Sequence, residues 1–292
     1  MSEVLYPRYR AYIENRVELN DAIMALLAGS RLAGHTLSLT VGSEATLSEL
    51  FPAVQHIRRF NLRSDVAREL LNNADHYFAS LALPYTLAVH EDFVMSTLDW
   101  LAQEGVQVTE NGKPLRSWGR IRAWNMHEIL FESLGEFPPE EWLQSFHVLR
   151  ETRNCIIHAG GVIDDKLRGA IKEMGSNARS GWKSISLGTP EDIEKEAKVL
   201  LTAEHIFLVL AVTKHLGREI NRLLQIRLGK PAWARIVVKD FQASTSKVPH
   251  SSSWRRALIG YARHRYGGIG LSAAQLEAAA RAAGLWKGNA DQ

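Results

Sequence analysis

The chain has 292 residues, enough for one large domain or two small ones, and 46% of them are hydrophobic, enough for a substantial core. There is no N-terminal stretch with a basic start, an apolar run and a small-residue cleavage site. There is also no run of about 18 apolar residues that could span a bilayer, and the chain is expected to be cytoplasmic. The single cysteine, Cys155, forms no internal disulfide and holds no structural zinc by itself, which fits a reducing compartment.

The net charge of +3 conceals an uneven distribution. Residues 213–265 carry 12 Lys or Arg against Glu219 and Asp240, a local balance of +10, which leaves 3 − 10 = −7 for the rest of the chain. Such a tract is either the footprint of a polyanion binder or a solvated charged face.

Apolar residues recur at helical spacing from the start: Ile13, Val17, Ile23 and Leu27, then Val66, Leu70, Leu71, Tyr77 and Leu81. The chain therefore reads as all-α. Pro84 predicts a break or kink ahead of a helix over 86–105 that stops on Gly105. In residues 106–116, Asn111-Gly112 between alternating residues signals a β-hairpin insert. A helix is predicted over 117–135, and another from the Pro- and Glu-rich turn at 137–141 to Gly160-Gly161. Thr189-Pro190-Glu191-Asp192 has the form of a helix start, and the longest helix is predicted from there to about Leu228. Residues 243–253, rich in Ser and Thr with Pro249, read as a linker to a small helical C-terminal appendage.

The stretch LRETRNCIIHAGG, residues 149–161, carries the densest chemistry. At about 100° per residue, Trp142, Phe146, Leu149, Ile156 and Ile157 fall on one apolar stripe, with Arg153 in its middle. A buried guanidinium cannot shed its proton and requires an anion or acceptors. On an adjacent face His147, Arg150, Asn154 and His158 form a polar stripe. Arg153 and His158, five residues apart, are separated by about 140° on a straight helix. Either an unwound last turn or a second copy of the helix across a twofold axis would bring them together. The plainer reading is a helix-terminal histidine against the dipole, a glycine stop and an arginine paired with a glutamate. The bare spacing recurs in RAWNMH at 122–127, without the asparagine after the arginine, the apolar residues before the histidine or the glycine pair.

RNCIIH followed by AGG resembles the signature of HEPN domains, an all-α superfamily of ribonucleases and nucleotide-binding modules marked by Arg, four to six residues, then His. The matching positions are Arg153, Asn154 and His158, and the resemblance extends over about 60–228, strong only at the motif. It implies an antiparallel helical bundle over 1–228, with an N-terminal extension at 1–59 and a basic C-terminal region at 229–292. It also implies metal-independent endonucleolytic cleavage of single-stranded or structured RNA such as tRNA, in a homodimer and without cofactor. In this reading His158 transfers protons, Arg153 meets the scissile phosphate and Asn154 orients. Proteins of this type commonly serve as toxins or antiviral abortive-infection effectors, which implies a separate antitoxin or sensor partner.

Other chemistry is less well supported. Glu91, Asp92 and Asp99 lack metal-ligand spacing and read as solvated or Arg-pairing, His90 as structural, and Asp164-Asp165 as a loop cap. No phosphate-binding loop or serine or cysteine nucleophile signature is present, and Cys155 reads as packing. Arg150, His147, Arg218, Arg222, Arg255, Arg256 and Arg263 are candidate RNA contacts, with Trp254 and Tyr261 interleaved either as base-stacking platforms or as core. Two other classes remain open: a non-catalytic HEPN-type module binding nucleotide or protein, and a DNA-binding regulator using the basic C-terminal region.

Overall fold

A computed structural model describes residues 3–287. Among these the fold is all-α, with twelve α-helices, four 3₁₀ turns and two two-stranded antiparallel hairpins. No helix among the described residues is long and apolar enough to cross a membrane.

Helix α1 (Pro7–Ser38) opens on a proline, whose missing N–H costs nothing at a first helical position. Tyr9 and Tyr12 are buried in its first turns, and beyond them the buried positions Ile23, Leu27, Ser30, Gly34 and Leu37 step by four and three, a narrow seam. After a one-turn α2 (Leu47–Leu50) and α3 (Ser64–Asn72), α4 (Ala74–Gln103) continues through Pro84, where the sequence predicted a break or kink, without a break. The proline removes one backbone donor, but Ala82, Leu83, Thr86 and Leu87 around it are buried, and that packing holds the helix together. Several apolar positions on the early helices face out rather than in: Val17, Val66, Leu70, Tyr77 and Leu81 are exposed.

Strands β1 (Thr109–Glu110) and β2 (Lys113–Pro114) form the expected hairpin. Asn111 and Gly112 take φ +55° and +72°, and their N–H groups donate to Glu132 at 3.0 and 2.8 Å. Helix α5 (Met126–Ser133) is shorter than the 117–135 predicted. The cause is Asn125: its side chain accepts from Arg122 N–H and donates to Arg120 C=O, tying the preceding segment into a turn.

Helix α6 (Glu140–His158) carries the motif, and α7 (Asp165–Glu173) and α8 (Ser176–Ser186) follow. The start signal at Thr189 is used, since Asp192 accepts from Thr189 N–H at 2.5 Å, but it caps a single 3₁₀ turn, Pro190–Ile193. The chain then forms a hairpin, β3 (Glu194–Lys195) and β4 (Lys198–Val199), whose turn residues Glu196 and Ala197 sit at φ +52° and +61°. The long helix expected from 190 therefore begins later, as α9 (Ala203–Arg227), and is shorter than α1 and α4. Helices α10 (Lys230–Ser244), α11 (Ser252–Arg265) and α12 (Ala273–Ala282) complete the chain, with 245–251 between α10 and α11.

The chain divides into two compact units. Unit 1 comprises Met1–Asn15, Val89–Leu143 and Lys214–Gln292, so the C-terminal helices share a unit with the N-terminus. Its core is aromatic: Trp233 meets Tyr6, Trp100 and Tyr266 edge-on at 5.6–6.3 Å, and Phe241 meets Trp254 at 5.4 Å. Beside it the buried Asp240 carboxylate accepts from Arg10 at 2.9 Å, Tyr261 at 2.7 Å and Tyr266 at 2.6 Å. Tyr12 stacks on Phe93 at 4.3 Å and is hydrogen-bonded to His90, which shares a bond with His127 at 2.9 Å.

Gly217 on α9 leaves room for that tyrosine, since a Cβ at 217 would lie 2.6 Å from the Tyr12 ring. The ring is held by its stack and its hydroxyl. Gly217→Ala is therefore expected to destabilise by about 2 kcal/mol in urea or thermal unfolding, outweighing the helix-propensity gain of under about 1 kcal/mol.

Unit 2 comprises Arg16–Ala88 and Gln144–Thr213. Trp182, Leu83, Leu87, Phe146, Leu149, Leu167, Ile193 and Leu208 form much of its core, each 1% exposed or less.

Candidate functional site on helix α6

Ser145, Phe146, Val148, Leu149, Thr152 and Cys155 are the most deeply buried positions of the motif helix, each at most 1% exposed. The buried arc is thus rotated by roughly 70° from the stripe that hydrophobicity alone picks out. Ile157 is exposed, and Arg153, expected at the centre of the buried face, is half-buried at its edge. Thr152 explains the rotation. Its hydroxyl donates to Val148 C=O at 2.8 Å, so the side chain turns inward with its polar atom satisfied and behaves as a hydrophobe.

Glu151, only 8% exposed, is the residue that sequence reasoning missed. Its carboxylate accepts from Arg150 at 2.5 Å and from the Asn154 amide at 3.0 Å, tying two members of the polar stripe to one buried anion. The sequence held a signal for it: a carboxylate adjacent to Arg150 and three residues before Asn154, a spacing that meets on a helix. The Arg150 side chain is 13% exposed, and its second terminal nitrogen is buried with no acceptor. Glu151→Ala would strand that guanidinium, and a loss of about 3 kcal/mol is expected in chemical unfolding. An unchanged midpoint would refute the role.

The helix remains regular through His158, which is exposed in its last turn. Beyond it, Gly160 and Gly161 take φ +58° and +83°, so the chain folds back and the Cys155 carbonyl accepts from both Ala159 and Gly161 N–H, at 3.1 and 2.9 Å. The exit segment then pairs with the second hairpin: Val199 N–H donates to Gly161 C=O at 2.8 Å, and Ile163 N–H to Ala197 C=O at 3.0 Å. Asp164 caps α7 by accepting from Leu167 N–H at 2.9 Å, and also accepts from the Cys155 thiol at 3.7 Å. Burial, first, and the neighbouring carboxylates push that thiol's pKa up, so Cys155 is packed rather than nucleophilic.

His147, Arg150, Arg153, Asn154 and His158 all belong to unit 2, whereas Arg218, Arg222, Arg255, Arg256 and Arg263 belong to unit 1. Much of the basic tract is internally neutralised. Arg218 pairs with Glu3, Arg222 with Glu219, Arg227 with Glu136, Arg235 with Glu104 and Arg255 with Glu277, five of its twelve cations. Arg256 and Arg263 are exposed, and Trp254 and Leu258 are core residues at 0% and 1% exposure. In unit 2, a cleft of about 320 Å³ is lined by Arg168, Lys172 and Arg179, but Glu194 and Glu191 meet its two arginines. Among the described residues no group of three or more His, Cys, Asp or Glu could hold a metal ion.

Comparison of the chain with family models, with curated proteins and with solved structures gave no match.

Proposed function

We propose that the protein is a HEPN-type ribonuclease that cuts RNA without a metal ion, as a homodimer in which each site draws on both copies. The observation that carries this reading is the disposition of the motif. Arg153 and Asn154 are half-buried, His158 is exposed, and Glu151 fixes the Asn154 amide, so a resembling motif keeps its reactive groups at the surface of a rigid helix. Because the helix is regular through His158, Arg153 and His158 of one copy diverge by about 140°. The reading therefore brings an arginine from one copy to a histidine from the other.

The chemistry follows from the residue types. Imidazole, which titrates near neutrality, takes the proton of the ribose 2′-hydroxyl as the 2′-oxygen bonds to phosphorus. The bond from phosphorus to the 5′-oxygen breaks, a second proton transfer caps that oxygen, and the guanidinium fork stabilises the charge on the phosphoryl oxygens. The products are a 2′,3′-cyclic phosphate and a 5′-hydroxyl, and DNA, lacking the nucleophile, is left whole. An activity of this kind suits a toxin or abortive-infection effector and needs a restraining partner or a trigger.

The test is incubation of the purified protein with total RNA in EDTA, with fragment ends mapped. Discrete cuts bearing cyclic phosphates are expected. Cutting that requires added divalent metal, or that leaves 3′-hydroxyl ends, would overturn the reading.

A further inference from the structure

Within unit 2, the end of α8, the 3₁₀ turn Pro190–Ile193 and the start of α9 border a cavity of about 250 Å³. Asp192, Thr202, Glu204 and His205 line it together with the segment 186–189. Both carboxylates are held in place. Asp192 accepts from Thr189 N–H at 2.5 Å, an approach that Gly188 permits, since a Cβ there would lie 2.7 Å from the same oxygen. A hydrogen bond from Thr202 holds the Glu204 carboxyl below the ordinary carboxylate range, so it is ionised at neutral pH.

His205 is the deciding group. It is 5% exposed, and its Nδ1 accepts from Thr202 N–H at 3.0 Å. A backbone N–H only donates, so Nδ1 carries the lone pair and Nε2 the proton. Burial, opposed by Glu204 and Asp192, lowers the pKa of the ring and keeps it neutral at pH 7. Its hydrogen bonds are both made by Nδ1 with Thr202, which leaves the Nε2–H without an acceptor among the described residues, on a ring that borders the cavity. A donor buried to this degree is costly to leave unmet.

We propose that this cavity binds a small amino alcohol, an organic cation with a hydroxyl group beside its ammonium. The ammonium, with three donors and no acceptor, meets the carboxylates, and the hydroxyl oxygen accepts from His205 Nε2–H. Other classes fit less well. No cation lines the cavity, so phosphates and carboxylates are repelled. A bare ammonium or guanidinium offers nothing to the Nε2–H. Among the described residues no group of three or more His, Cys, Asp or Glu could hold a metal ion. The volume is just under the roughly 300–1,000 Å³ of pockets for drug-sized ligands, which limits the occupant to a small molecule. Neither RNA nor the motif at 153–158 takes part in this binding.

Three cyclohexane derivatives that differ by one group test the site: 2-aminocyclohexanol, cyclohexylamine without the hydroxyl, and cyclohexanol without the ammonium. Each is titrated at pH 7 into the isotopically labelled full chain and followed by amide NMR. 2-Aminocyclohexanol should shift the signals of Leu187, Thr189, Thr202 and His205 with a dissociation constant of about 1 mM or tighter. Each control should bind at least about tenfold more weakly, the loss that goes with one charge-assisted or buried hydrogen bond. Asp192 is exposed and Glu204 half-buried, so Asp192→Asn and Glu204→Gln should keep the fold and each weaken 2-aminocyclohexanol binding by about tenfold. Absence of shifts at these residues up to tens of millimolar would make water the occupant and overturn the assignment. Equal binding of either control, or an affinity unchanged in both carboxylate variants, would overturn it as well.

Discussion

Replacing His158 by alanine is expected to reduce metal-independent RNA cleavage by at least about 100-fold, the contribution of one positioned proton-transfer group. His158 is exposed at the end of α6 and supports no core packing, so the variant should keep the fold, the melting temperature and RNA binding. Arg153→Ala should cause a comparable loss, and Arg153→Lys a smaller one, because an ammonium keeps the charge but not the two-pronged geometry. Asn154→Ala should be milder, because that side chain only orients. Mapping cleavage products of the variants beside wild type in EDTA, with filter binding of RNA as the control, checks all four. Wild-type cutting in the His158→Ala variant would remove the histidine from the mechanism, and a loss of folding would show its role to be structural.

The second large effect concerns Asp240. Burial alone would raise the pKa of this carboxyl, but the hydrogen bonds from Arg10, Tyr266 and Tyr261 outweigh it and hold it below the ordinary carboxylate range. The same bonds, added to burial, push the Tyr266 and Tyr261 hydroxyls up. Asp240→Asn removes the charge that organises three donors from α1, α11 and the turn after it. A loss of about 3 kcal/mol and a fall of about 5–10 °C in melting temperature are expected at pH 7. A group whose folded pKa lies below its unfolded value of about 3.9 stabilises fully above that value and loses the contribution as pH falls through the folded pKa. The gap between wild type and Asp240→Asn should therefore hold from pH 7 to about 4 and narrow below that, read by calorimetry across the series. A gap that does not change with acidification would place its origin in packing rather than charge.

What could be read in the chain was what local rules control. The all-α class, the Asn111-Gly112 hairpin, the start of α6 after Pro138-Pro139 and the break between α10 and α11 each follow from a few adjacent residues. The failures share a cause: the deciding partner lies at a distance or is a polar group behaving as an apolar one. Pro84 passes through α4 because buried neighbours secure the turns around it, and the start signal at Thr189 is spent on one 3₁₀ turn because a hairpin intervenes. At the site, the motif residues were legible as a string, but not the side they face. Thr152 turns inward on a backbone bond and Glu151 on two side-chain donors, and both rotate the helix away from its hydrophobic pattern. The C-terminal cations were legible as a tract, while the acids that neutralise Arg218, Arg227, Arg235 and Arg255 lie far along the chain.

Glu196 and Ala197, in the turn of the second hairpin, occupy the left-handed region without being glycine or asparagine, at a cost of about 1 kcal/mol each. Alone, such a turn would open. It is held by two backbone bonds to the segment leaving α6, from Ile163 N–H to Ala197 C=O and from Val199 N–H to Gly161 C=O. The helix end carrying His158 and this hairpin therefore open and close as one local unit, and whatever frees the hairpin also frays the last turn on which the histidine sits.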